Sequence, residues 1–325
     1  MAKQDKYISV FVPTYNGHPF VKPLIDAVLS QELPDGYNLE LLITDSGSKD
    51  DTIEVIKSYG DKVVFNQIPN KEYGHGKTRQ QAAEKAKGEY ILFLSQDATP
   101  ASERWLINMI EPFFISERVG CVFGRQIPRP FSVPTIKREV SSVFGGLGAP
   151  DSIVIHRDRS LVDNHHTNAL NSFFSDVNSA IRKDLVNVVP FQDVRYAEDQ
   201  ALAEDMQNNG YLKAYSPSGA VWHSNEYTAK EYYHRKFDEY TGLIESVNYD
   251  IEPSIKSLSL GWIRPTIQDW KFAKHDTEYN LRAKIKFFFF SPLYNFYMQL
   301  GKYHAAKYKN NSAKRKVISL EEKRK

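Results

Sequence analysis

The sequence predicts an α/β protein: a mostly parallel central sheet with helices on both faces, extended by a helical C-terminal region. Three observations lead there. Near-continuous apolar runs of strand length recur through the first 125 residues. Amphipathic stretches of helical period alternate with them. Beyond residue 225 the rhythm is lost, and the chain becomes aromatic and basic. Strands too apolar for a wet face, each followed by a helix, belong to a sheet buried on both sides.

The elements follow in order. Ile8-Ser9-Val10-Phe11-Val12-Pro13 reads as a strand entering a turn at Thr14-Tyr15-Asn16-Gly17. Phe20, Leu24 and Val28, widened by Ile25 and Leu29, mark a helix face. Leu39 to Thr44 is a second strand, left through Asp45-Ser46-Gly47-Ser48, and a helix starts at Asp50 with Ile53 and Ile56 inward. Val63 to Phe65 is a third strand; the Ala-rich 78–87 segment is a helix closed by Gly88. Tyr90 to Leu94, helix 103–115 and strand Val119 to Gly124 complete the alternation. Residues 126–170 show no sustained period and read as a long loop with short helices. Ser172 to Ile181 returns to the sheet as an edge strand, and helix 197–209 follows. Ala214 to Ser216 and Ala220 to His223 read as two short strands. Residues 226–310 read as helical, broken at Pro253, Pro265 and Pro292, and the last dozen residues as a frayed basic tail.

Composition narrows the class. The 325 residues are 41% hydrophobic and 25% charged, with 17 Gly and 16 Pro, which excludes collagen-like and disordered chains. A single cysteine, Cys121, excludes an internal disulfide and a Cys-based zinc cluster; its apolar setting predicts a buried thiol. The N-terminus shows no apolar leader and no window of ~18 apolar residues occurs, which predicts a cytoplasmic protein. The net charge of +2 hides an asymmetry: residues 226–325 carry +7 and the rest −5. A basic end on a near-neutral body predicts an anionic surface partner. No helix-turn-helix, zinc-finger or aromatic RNA-reading pattern accompanies it, so nucleic acid is not expected.

Ligands of open parallel sheets bind beyond the carboxyl ends of strands. Four polar segments stand there: Pro13-Thr14-Tyr15-Asn16, Asp45 to Ser48, Asn66 to Lys77, and Ser95-Gln96-Asp97-Ala98. One such turn is ordinary; four in register predict a site. The dinucleotide fingerprint is absent, and Gly74-His75-Gly76-Lys77-Thr78 lacks the first glycine of a phosphate loop. Lys77 and Arg79 near a helix start could take phosphate oxygens. Asp97 at the tip of an apolar strand needs solvent, a partner or a metal. Glu198-Asp199 opens a helix, either as dipole partners or as a carboxylate held to accept a proton. Glu204-Asp205 reads as the solvated face of that helix. His223, ending an apolar strand, is either a structural histidine or a ligand.

These segments, in this order, resemble the family-2 glycosyltransferases, whose nucleotide-diphospho-sugar-binding fold is called GT-A. The resemblance rests on Val12 to Gly17, Asp45 to Asp50, Gly88 to Ala98, Tyr196-Ala197-Glu198-Asp199 and Trp222-His223, and covers about residues 6–225. Within the family it is greatest to bacterial rhamnosyltransferases of O-antigen and cell-wall polysaccharide assembly, on Ser95 to Ala98 and Phe65-Asn66 through Gly76. It implies an inverting transfer of L-rhamnose from dTDP-L-rhamnose to a hydroxyl of a polysaccharide or polyprenyl-diphosphate-linked glycan. A UDP-hexose or UDP-N-acetylhexosamine transferase and an inactive sugar-binding scaffold are the alternatives. It assigns Pro13, Thr14, Tyr15, Asn16, Asp45 and Ser46 to base and ribose, with Lys77, Arg79, Ser95 and Gln96 also on the nucleotide. Asp97 and His223 would hold Mg2+ or Mn2+, and Asp199 would be the catalytic base. The first aspartate of the family's Asp-x-Asp motif is Ser95 here, which adds no charge.

The resulting organisation is a catalytic domain over 1–225, with a donor part at 1–125 and an acceptor side at 126–225. A helical aromatic and basic subdomain follows at 226–311, then a flexible tail at 312–325. In the subdomain, Lys284 to Phe290 mixes cations with aromatic bulk. It reads as a packed helical region, as a surface peripheral to the inner face of the cell membrane, or as a contact in a homo-oligomer.

Overall fold

Nine strands form one sheet in the computed structural model, which describes residues 5–156, 173–194, 197–246 and 251–320. They are β1 (Lys6–Thr14), β2 (Tyr37–Asp45), β3 (Val64–Gln67), β4 (Tyr90–Leu94), β5 (Thr99–Pro100), β6 (Val119–Ile127), β7 (Val154–His156), β8 (Asn178–Arg182) and β9 (Leu212–Trp222). Their order is β3-β2-β1-β4-β8-β6-β9-β5, with β7 also on β9. The sheet is mixed rather than uniformly parallel. β3, β2, β1 and β4 run parallel, while β8, expected as an edge, is interior and pairs antiparallel with both β4 and β6. A short buried strand looks alike in either direction, so its apolar run could not reveal this. Because β8 reverses the direction and β6 restores it, β6 and the parallel β9 point the same way as β1 and β4. The carboxyl ends of β1, β2, β4, β6 and β9 therefore share one edge, together with the start of β8.

The chain divides into two compact units: residues 1–127, 143–194 and 198–223 in the first, and 128–142, 195–197 and 224–325 in the second. In the first unit, Ile8, Val10, Phe11 and Val12 are fully buried, as are Ile91, Leu92, Phe93 and Leu94. Complete burial of such side chains is worth roughly 1.5–3 kcal/mol each. α1 (Val21–Leu29) seats Val21, Leu24, Ile25 and Val28 on the sheet. α2 (Thr52–Lys57) buries Ile56 but leaves Ile53 half-buried. α3 spans His75–Lys85, starting three residues before the expected 78–87. Gly88 does not close it; a Cβ there would come within 2.4 Å of the Ser9 nitrogen, so Gly88 is the point where the chain passes against β1. α4 (Trp105–Ile115) buries Trp105, whose indole N–H donates to Asn178 Oδ1 at 2.9 Å. β9 is one strand where two were expected, with Pro217 and Gly219 inside it. Cys121 is buried in β6, and burial pushes its thiol up to about 12. Within the 126–170 segment, expected as a long loop with short helices, the helix α5 (Pro134–Gly145) and the strand β7 form; residues 157–172 lie outside those described. α6 (Glu198–Asn208) completes the unit.

The second unit is helical: α7 (Ala229–Ser246), α8 (Ile255–Leu260), α9 (Ile263–His275), α10 (Leu281–Lys307) and α11 (Ser312–Ile318). Segment 128–142, expected with the acceptor side, belongs here. Lys137 pairs with Asp276 at 2.6 Å and with Glu278, and Arg138 Nε with Asp269 at 2.7 Å. Pro292 does not break α10, and Pro265 sits in the first turn of α9, where its missing N–H has no intrahelical partner to lose. Gly301 lets α10 and α7 meet, since a Cβ would lie 2.8 Å from the Tyr233 carbonyl. The tail expected to fray is helical in α11. The Asn311 side chain caps it at the Lys314 N–H, Arg315 pairs with Glu245, and the Leu320 N–H donates to Asp238 at 2.7 Å. Residues 321–325 lie outside those described.

Candidate active site

The shared strand edge is knitted by the turns that the sequence singled out. β1 and β2 end in register, Thr14 opposite Asp45. Asp45 is fully buried and accepts four bonds: from Thr14 Oγ1 (2.9 Å), Gly47 N–H (2.9 Å), Ser48 N–H (2.8 Å) and Ser48 Oγ (2.5 Å). Those use the ordinary acceptor capacity of a carboxylate. Asp45, expected at the base and ribose, thereby ties the turn after β2 to the end of β1. Ser46 is buried as well, its hydroxyl and N–H both donating to the Thr14 carbonyl. Asn16 has φ +48°; its Oδ1 accepts from the Lys49 N–H at 2.8 Å and its N–H donates to Ser48 Oγ at 2.7 Å. Pro13 and Tyr15 remain half-buried and the Asn16 residue exposed at this edge.

Gln96 binds the turn after β4 to the turn after β1. Its Oε1 accepts from the Tyr15 N–H at 2.8 Å and its Nε2 donates to the Tyr15 carbonyl at 3.1 Å. Gly17 makes room for it, since a Cβ there would stand 2.7 Å from Gln96 Oε1. Gln96, expected on the nucleotide, is thus engaged with backbone. Ser95 is half-buried beside it, its N–H donating to the Val177 carbonyl.

Asp97 and His223 come together. The pairing of Thr99 with Trp222 sets the residue two before β5 beside the residue after β9. His223 Nε2 lies 3.5 Å from Asp97 Oδ2, with the histidine side chain 7% and the aspartate 20% exposed. His223 Nδ1 is 2.9 Å from Gln126 Oε1, and Gln126 Nε2 donates to Ser175 Oγ at 3.1 Å. Gln126 thus engages Nδ1 and leaves Nε2 as the ring nitrogen that faces Asp97. One carboxylate oxygen and one imidazole nitrogen on neighbouring backbones fit part of a divalent-cation shell. Among the described residues no group of three or more His, Cys, Asp or Glu could complete it, so phosphate oxygens and water would supply the rest.

A second cluster lies where α3 and α6 meet the start of β8. Arg79, expected near the nucleotide, is buried between two carboxylates. Its Nη1 is 2.9 Å from Glu198 Oε1, and its Nε 3.2 Å from Asp176 Oδ2. Burial works against that charge, but Asp176 and Glu198 outweigh it and raise the guanidinium's pKa. Asp176 is pushed up to about 6 by burial, against the pull of Arg79. Asp199, in the first turn of α6, is half-buried and takes the N–H groups of Asp176 (3.2 Å) and Gln200 (2.8 Å). Burial, then the charges of Glu198 and Asp176, lift its pKa well above the carboxylate range. Ala197 before this pair has φ +61°, a left-handed backbone that an alanine rarely adopts and that marks a constrained approach to the helix. Lys77 stands exposed on the first turn of α3. Asp205 accepts from Gln192 Nε2 at 2.6 Å on the outer side of α6. Tyr196 lies outside the described residues.

Sequence reasoning missed Asp176, Gln126 and the pairing of Glu198. Asp176 carried a usable signal: it is an acid just before the apolar run of β8, where burial demands a partner. Gln126 carried none, because its role exists only across 97 positions to His223.

A mixed sheet whose parallel strands all deliver polar turns to one edge is the GT-A architecture of nucleotide-diphospho-sugar transferases. The chain superposes on the mannosyltransferase of Pyrobaculum calidifontis, solved with GDP-Man and Mn2+. That match has a TM-score of 0.56 and 17% identity, over 94% of this chain and 87% of the other. Residues 9–189 match the family described as Glycosyl transferase family 2, and the chain belongs to that family of glycosyltransferases. It is 30% identical to the O-antigen chain rhamnosyltransferase RfbN of Salmonella typhimurium, over 71% of this chain and 70% of the relative. It is 32% identical to the poly(ribitol-phosphate) beta-N-acetylglucosaminyltransferase TarS of Staphylococcus aureus, over 27% of this chain and 16% of that longer protein.

Proposed function

We propose that this glycosyltransferase moves L-rhamnose from dTDP-L-rhamnose to a hydroxyl of a polysaccharide or lipid-linked glycan, by one inverting displacement. Asp199 is the base. The observation that carries the reading is its placement: a carboxylate at a helix start, held by two backbone N–H groups, with burial and the charges of Glu198 and Asp176 raising its pKa. A base with its pKa raised towards the working pH accepts a proton more readily than a free carboxylate. The acceptor hydroxyl gives its proton to Asp199 as its oxygen bonds to the anomeric carbon. The bond from that carbon to the diphosphate breaks, and the nucleoside diphosphate leaves with the electron pair. No covalent nucleophile is required.

The turns after β1 and β2 receive the nucleotide. Asp45 and Gln96 hold those turns in shape, Pro13 and Tyr15 line them, and Lys77 faces the phosphates. Asp97 and His223 would hold Mg2+ or Mn2+, which when bound offsets the diphosphate charge. The rhamnose assignment rests on likeness to the O-antigen rhamnosyltransferase over most of both chains. The shorter match to an N-acetylglucosaminyltransferase keeps UDP-sugars as the competing donors.

The deciding experiment offers dTDP-L-rhamnose, UDP-glucose, UDP-galactose and UDP-N-acetylglucosamine to the protein with Mg2+ or Mn2+ and follows turnover. Rhamnose release or transfer should be fastest; a faster UDP-sugar replaces the donor assignment. Asp199→Asn should lower turnover about 100-fold or more with donor affinity kept. Loss within about 3-fold of wild type would remove Asp199 as the base.

A further inference from the structure

We propose that the second unit carries a docking face, built by α9 and α10, that seats on an anionic lipid bilayer. The inference stands on this unit alone and not on the donor or base assigned above. Its first observation is a helix apolar on both sides. α10 buries Phe287, Ser291, Tyr294 and Asn295. At 3.6 residues per turn its opposite side presents Leu281, Ile285, Phe289, Leu293 and Phe296, all exposed, Phe289 at 70% and Ile285 at 53%. A helix apolar all round is ordinarily buried all round. α9 continues the surface. Trp270 stacks on Phe288 with ring centroids 4.6 Å apart and donates its N–H to the Phe288 carbonyl at 3.0 Å. Ile267 and Ile263 are exposed one and two turns before it. Single exposed hydrophobic residues need no explanation, but a contiguous apolar surface across two helices marks an interaction site.

Charge selects the occupant. Residues 255–300 hold seven Lys or Arg and three acids. Each acid is paired within the unit: Asp269 with Arg138, and Asp276 and Glu278 with Lys137. Arg264, Lys271, Lys274, Arg282 and Lys286 are exposed. Arg282 and Lys286 flank the apolar stripe, and Lys286 Nζ lies 5.9 Å from the Phe290 ring centroid. Two copies meeting by this face would set like charges against one another. Anionic headgroups complement them, while the aromatic and aliphatic side chains enter the boundary of the acyl chains. No helix among the described residues is long and apolar enough to cross a membrane, so this face is one that lies on the bilayer.

The test floats the full chain with vesicles of phosphatidylglycerol and phosphatidylcholine, and with phosphatidylcholine alone. Binding should need the anionic lipid and weaken with salt. The double variant Ile285→Asp with Phe289→Asp, both at exposed positions, should weaken partitioning about tenfold or more. Should that variant not fold, wild-type protein answers instead: brominated phosphatidylglycerol should quench its tryptophan emission, and Trp270→Phe should remove most of that quenching. Three results overturn the proposal. They are a full chain that ignores anionic vesicles at low salt, a folded double variant that binds like wild type, and a double variant that converts a stable dimer to monomer.

Discussion

Arg79→Met would take the guanidinium out from between two buried carboxylates while keeping most of the side-chain bulk. Arg79, Asp176 and Glu198 are 6%, 2% and 8% exposed, and the contacts are 3.2 and 2.9 Å. Removing one partner of such a pair costs about 3–5 kcal/mol, because the remaining charge keeps its desolvation penalty. Asp176 limits the cost. Its carboxyl already sits at about 6 with Arg79 beside it, and without the cation it rises further and takes up a proton. The expected loss is therefore near the lower end, about 3 kcal/mol above neutral pH. A carboxyl whose folded pKa lies above its unfolded value contributes stability while protonated in the fold, and loses it as pH rises through the folded pKa. In the variant that loss moves to higher pH, so the deficit against wild type is greatest above the variant's raised pKa, shrinks as pH falls and levels off below about 6. Urea unfolding at about pH 8 and about pH 5, followed by tryptophan fluorescence, measures both features. A deficit under about 1 kcal/mol at the higher pH, or one that grows on acidification, would refute the reasoning. Adding Asp176→Asn and Glu198→Gln to Arg79→Met should restore most of the loss, since neutral partners keep the packing without the stranded charge.

The remaining predictions concern the site. Glu198→Gln removes a negative charge that raises the Asp199 carboxyl, so the acid limb of the kcat/KM profile should move to lower pH; a limb that stays or rises contradicts Asp199 as the titrating base. Gln96→Ala should raise the donor KM about tenfold, because the turn at Tyr15 loses both of its clamps; an unchanged KM would show that the turn holds its shape alone. For Asp97→Ala, calorimetry should find equal donor affinity with Mg2+ and with chelator, whereas wild type should bind more tightly with the cation. Equal wild-type affinities in the two buffers would remove the metal from donor binding.

Which parts of the site were legible follows from how far apart the participating residues lie. Asp45 to Ser48 and Ser95 to Ala98 announce themselves because each directly follows an apolar run, and a polar turn after a buried strand is a local pattern. Asp199 was legible for the same reason, as an acid at a helix start. The carboxylate partners of Arg79 were not legible, because they come from 97 and 119 positions further along. The bidentate hold of Gln96 on Tyr15 was hidden in the same way, since it spans 81 positions.

By itself the sequence determined the alternation of strand and helix, the burial of the strands on both faces and the polar turns that end them. Those properties depend on the spacing of apolar side chains along a few neighbouring residues, and spacing is written in the chain. Tertiary structure alone decided that β8 runs antiparallel, which aligns the ends of β4, β6 and β9 and brings His223 to Asp97. It alone decided that Asp45 spends its carboxylate on the loop, and that α10 survives Pro292 while one apolar side faces outward. Strand direction, ion-pair partners and the side of a helix left uncovered are set by which distant segments meet. No local period of hydrophobicity records that choice.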